Sequence, residues 1–153
     1  LKVVLSLMSK NKITIQTDLE RLIKNLENAG ANVNKSIEEL EKASKKVVTD
    51  NLIKDTIKAN YPAHGRYSTG ELAKSIDQDY NVKWTSNVAE ISVGYNMKKS
   101  GLTSIMLLYG TPRMKKSTKL YNDIYGKKTR DKIAEIQQET LNKILERAAT
   151  NGR

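Results

Sequence analysis

Tyr80-Asn81-Val82-Lys83-Trp84-Thr85-Ser86-Asn87-Val88-Ala89-Glu90-Ile91-Ser92-Val93-Gly94-Tyr95 decides the class of this chain. Tyr80, Val82 and Trp84 alternate with Asn81, Lys83 and Thr85. After Ser86-Asn87, the residues Ala89, Ile91, Val93 and Tyr95 alternate with Val88, Glu90, Ser92 and Gly94. A period of two puts one set of side chains on a single face, so both runs read as half-buried strands of an antiparallel hairpin.

Outward from the hairpin the period becomes that of a helix. On the N-terminal side, Val33, Ile37, Leu40, Ala43, Val47, Leu52, Ile53 and Ile57 predict a long amphipathic helix over about 32–60. Tyr61-Pro62 ends it, because the residue before proline is pushed out of the helical region. Ahead of it, Thr17 and Glu20 form a capping-box pattern before Leu19, Leu22, Ile23 and Leu26. Gly30 either separates the two helices or merely kinks one long helix. On the C-terminal side, Ile133, Ile136, Leu141, Ile144, Leu145 and Ala148 predict a helix over about 129–149. The expectation is an α+β fold, a small antiparallel sheet packed by the long helix of the N-terminal half and the C-terminal helix.

Residues 17–149 form the expected domain, preceded by an arm at 1–16 and followed by a tail at 150–153. Within the arm, Ile13 and Ile15 alternate over 12–16, which suggests a short strand or an extended segment. Leu1 to Met8 are apolar but too short for a secretory signal, and Met8 is a candidate start with Leu1 to Leu7 upstream of it. Thr69 is positioned to cap a short turn through Glu71 and Leu72. Ile105, Met106, Leu107 and Leu108 fit a strand or a buried helical turn equally well.

Composition restricts the chemistry. Among 153 residues there is no Cys, no Phe and one Trp, which excludes disulfides and thiolate sites and makes the core aliphatic with Tyr at its margins. No stretch approaches a membrane span. The one histidine, His64, has no second His or Cys to share a metal, and a lone loop histidine is usually an ordinary surface residue. Asp77 and Asp79 alternate, as exposed edge charges do, and no acid–base partner accompanies them. Gly65 and Gly70 precede no Lys-Ser/Thr pair, so they form no phosphate loop. The expectation is a protein without catalytic apparatus and without a cofactor.

The net charge of +10 is unevenly placed. Residues 98–128 carry Lys98, Lys99, Arg113, Lys115, Lys116, Lys119, Lys127 and Lys128 against Asp123 alone. This segment reads as an exposed basic connection, either a solvated loop or a surface for phosphate or an acidic protein. Arg113, Lys115, Lys116 and Lys119 are the expected partner or DNA-phosphate contacts. Tyr109, Tyr121 and Tyr125 interleave with them, which would suit base stacking, but no DNA-reading signature is present.

Two motifs then stand in order, Tyr61-Pro62 followed by Ser68-Thr69-Gly70-Glu71-Leu72-Ala73-Lys74-Ser75-Ile76, and Leu107-Leu108-Tyr109-Gly110-Thr111-Pro112. With a long helix before the first, a hairpin between them and a closing helix, residues 17–149 resemble the small tail-component or head–tail joining family of long-tailed bacteriophages and prophages. Pro62, Thr69, Gly70, Leu72, Ser75, Ile76, Tyr109, Gly110 and Thr111 carry the resemblance and read as structural positions. The resemblance implies a virion component of the neck or tail-completion kind, present in the host cytoplasm before assembly. It implies contact with other connector or tail proteins, a homo-oligomeric ring and non-specific contact with DNA, with no turnover. The chain departs from the family pattern at Leu108, where an acidic residue is common, and over Arg113 to Ile124, which replaces a Pro-rich, Phe-containing segment. The competing expectation is a cytosolic nucleic-acid-binding accessory protein that uses the same basic segment.

Overall fold

The computed structural model describes residues 3–9, 12–17, 19–59, 70–86 and 88–151. Its elements are β1 (Val3–Ser9), β2 (Lys12–Thr17), α1 (Leu19–Asn28), α2 (Val33–Ala59), α3 (Glu71–Lys74), β3 (Lys83–Thr85), β4 (Val88–Gly94), α4 (Met97–Tyr109), α5 (Thr118–Tyr125) and α6 (Lys127–Asn151). The expected α+β class holds. A small antiparallel sheet is packed by α2 and α6.

The sheet has four strands in the order β1-β2-β4-β3, all antiparallel. Val3–Ser9 and Lys12–Thr17, which take up most of the expected arm, are therefore strands of the sheet. β2 lies between β1 and β4, with Ile15 opposite Ile91 and Ile13 opposite Val93, so its backbone groups are used on both edges. The expected hairpin is present but lopsided. Ala89, Ile91, Val93 and Tyr95 are buried as the alternation requires, whereas β3 covers only Lys83–Thr85 and all three of its residues are exposed. Tyr80 and Val82 lie outside it. The Asp77 carboxylate accepts a hydrogen bond from the Asp79 amide (3.0 Å), and the Asp79 carboxylate accepts one from Asn81 (3.1 Å). Short polar side chains here capture the backbone donors that a strand would have spent on its neighbour.

Helix α2 packs on β4, α5 and α6. Gly30, at φ +70°, separates it from α1, so the reading with two helices is the observed one. Two apolar clusters result. Leu26, Ile37, Leu40, Ala89, Leu141 and Ile144 form one; Val48, Leu52, Ile76, Ile91, Val93, Tyr95, Leu108, Leu120, Ile124 and Ile133 form the other. Each such buried aliphatic side chain contributes about 2 kcal/mol relative to exposure.

The inward face of α2 is more polar than the sequence suggests. Ser36, Glu41, Ser44, Lys45, Thr49 and Thr56 are buried there, while Ile57 is 56% exposed. Facing it on α6, Gln137 is fully buried within the stripe of Ile133, Leu141 and Ile144. The Ser44 hydroxyl donates to the Leu40 carbonyl (2.8 Å), which satisfies it within its own helix. On the surface, both oxygens of Glu39 accept from the Arg147 guanidinium, tying α6 to α2.

The segment 98–128 departs most from expectation. It holds most of α4, a tight turn, α5 and the first residues of α6. The Asn96 side chain caps α4 by accepting from the Lys98 amide (2.9 Å), and the Ser117 hydroxyl caps α5 through the Leu120 amide. Leu108, Leu120 and Ile124 reach zero exposure, which anchors a Lys-rich stretch that propensity alone would leave in solvent. Ile105 to Leu108 are therefore helical, and α4 bends at Ser100, whose φ and ψ are −149° and 32°.

Candidate partner interface

The turn between α4 and α5 organises the basic residues. Gly110 closes α4 at φ +81°, with its amide donating to the Met106 carbonyl (2.8 Å). A Cβ at this position would lie 2.8 Å from the Met114 carbonyl oxygen and 2.9 Å from the Lys116 amide. Only glycine leaves room for the chain to fold back this sharply. Thr111 and Met114 then exchange backbone hydrogen bonds (2.8 and 3.1 Å), and the Ser117 amide returns to the Leu107 carbonyl (2.7 Å). Arg113, Lys115 and Lys116 project from this closed turn and are exposed.

Among the described residues no ion pair neutralises their charges. From Met97 to Asn122 the chain has six basic residues, Lys98, Lys99, Arg113, Lys115, Lys116 and Lys119, and no acidic one. Lys119 is the exception in use, because its ammonium lies 2.8 Å from Asp55 on α2. Among the described residues the other five form no ion pair. Lys116 instead sits over the Tyr121 ring, 4.9 Å from its centroid.

The three tyrosines form a cluster and do not stand apart as separate platforms. Tyr109 meets Tyr121 edge to face at 5.9 Å, and Tyr121 meets Tyr125 at 4.9 Å. Tyr121 and Tyr125 are half-buried against the core, and burial, together with the neighbouring Tyr109, pushes the Tyr125 phenol well above its ordinary range. Only Tyr109, 42% exposed, offers much ring surface.

Beneath the turn lies a carboxyl pair that the sequence does not announce. Asp55 on α2 and Asp123 on α5 interact directly, with Lys119 beside them. Burial, then the Asp55 carboxylate, pushes Asp123 up to about 7. The hydrogen bond from Lys119 holds Asp55 below the usual carboxylate range. The pair therefore divides its roles, one group ionised and one retaining a proton near neutrality. Close by, the buried Tyr95 and Thr56 hydroxyls are 2.7 Å apart, and burial pushes Tyr95 up to about 12.

The first motif is likewise a structural joint. Pro62 and Thr69, with His64, lie outside the described residues. Gly70, at φ +70°, is the residue before α3, and Leu72 packs against the larger cluster. Ser75 is buried, and its hydroxyl donates to the Leu72 carbonyl (2.7 Å). Its carbonyl accepts from the Asn96 amide (2.7 Å), Ile76 bridges to Tyr95, and the Asp77 amide donates to Gly94 (2.8 Å). The motif thus extends the end of β4 and sets where α4 begins.

Asp77 and Asp79, read as edge charges, have a different task. Lys45 from α2 is fully buried, its ammonium 3.7 Å from the Asp77 carboxylate and donating to the Asp79 carbonyl, with the Tyr80 ring 5.2 Å away. The site is not legible in the sequence because Lys45 lies 34 positions before Asp79, on a different element. Among the described residues no group of three or more His, Asp or Glu comes together to hold a metal, and no helix is long and apolar enough to cross a membrane.

No protein-family model, curated protein or solved structure matches this chain.

Proposed function

We propose that the chain is a structural component of a phage virion at the head–tail junction, acting by subunit assembly and without turnover. The observation that carries this reading is the closed turn from Gly110 to Ser117, which presents Arg113, Lys115 and Lys116 with no ion-pair partner among the described residues. A hydrogen-bonded turn that holds out exposed cations suits contact with an acidic neighbour. Two of the residues that gave the family resemblance, Gly110 and Thr111, shape this turn, while Ser75 and Ile76 hold the start of α4.

The runner-up, nucleic-acid binding, draws on the same cations. It gains little from the tyrosines, because Tyr121 is covered by Lys116 and by its neighbouring rings. Titration of the purified chain with a DNA duplex of about 20 base pairs separates the two readings. The assembly reading predicts weak, sequence-indifferent binding, with a dissociation constant of roughly 10–100 μM or weaker near physiological salt. Tight, sequence-selective binding would favour the runner-up.

A further inference from the structure

We propose that the outer face of α4 is a docking site for an acidic amphipathic helix of a protein partner. This deepens the assembly reading and rests on it for the class of partner. Three side chains on this face are apolar and open to solvent: Leu102 is 67% exposed, Met106 39% and Tyr109 42%. Their spacing of four and three residues aligns them in one stripe about 10 Å long. The opposite face of the same helix buries Gly101, Ser104 and Leu108, so the fold has already used the side it needs.

Charge selects the occupant. Lys98 and Lys99 lie at one end of the stripe, and Arg113, Lys115 and Lys116 beyond the other. None has an ion-pair partner among the described residues, and the chain from Met97 to Asn122 has no carboxylate of its own. A partner that covers Leu102 and Met106 must bring its own acidic groups to both ends. A helix is the natural shape, because a stripe at this spacing packs against the matching ridge of a second helix. The unbranched Met106 side chain can adjust to that surface. A nucleic acid would satisfy the cations but would lay charged backbone across the leucine, with no gain from the apolar stripe.

The full chain is titrated with a fluorescent peptide of about 18 residues, long enough for several helical turns. Leucines at helical spacing form one side of it and glutamates flank them. A second peptide carries lysine in place of glutamate. Parallel titrations use anionic phosphatidylglycerol vesicles and the DNA duplex. The acidic peptide is expected to bind and the basic one not. The double variant Leu102→Ser/Met106→Ser should weaken peptide binding at least about tenfold while leaving DNA binding unchanged. Arg113→Gln/Lys115→Gln/Lys116→Gln should weaken both and flatten the salt dependence of both. Circular dichroism and melting of each variant confirm folding, which these exposed positions do not threaten. The proposal is overturned if the acidic peptide binds no better than the basic one, or binds the Leu102/Met106 variant equally well. It is also overturned if vesicles or duplex, and not the peptide, lose binding on that double change. Failure here with the virion defect of the cationic variant intact would leave the assembly reading standing.

Discussion

The Lys45 ammonium lies 3.7 Å from the Asp77 carboxylate, at the end of a side chain with no exposed surface. A charge taken this far from water persists only where its partners replace hydration, and the Asp79 carbonyl and the Tyr80 ring are among those partners. The contact fixes the loop before β3 to the middle of α2. Replacing Lys45 with Ala should cost about 3–5 kcal/mol, because it leaves both a cavity and an inward-facing carboxylate. Lys45→Met keeps the volume and should cost less. Urea unfolding of the two variants measures this. A loss below about 1 kcal/mol for Lys45→Ala, the scale of an exposed pair, would contradict it.

Asp123 makes stability depend on pH in a direction opposite to that of most carboxylates. Its folded value of about 7 lies above its ordinary 3.8. Between those values the folded chain keeps a proton that the unfolded chain has released, so stability falls as pH rises from about 4 to about 7. Asp55, held low by Lys119, contributes stability above its ordinary range and loses it only in stronger acid. Asp123→Asn removes the proton exchange while keeping the shape. Thermal melts at pH 5 and pH 8 should show the variant gaining on the parent at the higher pH, and parallel profiles would refute the assignment.

Two glycines at similar φ should tolerate alanine very differently. At Gly30 a Cβ meets nothing within 4 Å, so Gly30→Ala carries only the left-handed backbone cost of about 1 kcal/mol. At Gly110 the Cβ would strike two backbone atoms of the turn within 3 Å. Gly110→Ala should be worse than Gly30→Ala by at least about 1–2 kcal/mol. Equal denaturant midpoints would show that the turn is not closed as described.

What was legible in the sequence followed from clean periodicity. The alternation of Ala89, Ile91, Val93 and Tyr95 placed β4, and the spacing of Ile133, Leu141 and Ile144 placed α6. Segment 98–128 was misread because its anchors, Leu108, Leu120 and Ile124, are sparse among lysines that the helices simply hold in solvent. The apolar start Val3 to Ser9 gave no alternation by which to recognise a strand at the sheet edge. The candidate interface was half legible. Its cations stood out as a charge excess, but the loss of Lys119 to Asp55 did not, because that pair joins α5 to α2 across a long separation in sequence. The apolar stripe of α4 was hidden in a run where neighbouring Leu, Ile and Met point to opposite sides.

As a joint between virion parts, the chain would make its contact through the cations of the Gly110–Ser117 turn. If the source is a phage or prophage, as the proposal requires, electron microscopy of its particles carrying Arg113→Gln/Lys115→Gln/Lys116→Gln reads the joint itself. The three side chains are exposed and form no ion pair among the described residues, so the subunit should fold normally, since such charges contribute little to stability. Filled heads and separate tails, with few joined particles, are expected. Normally joined, infectious particles containing the folded variant would contradict it.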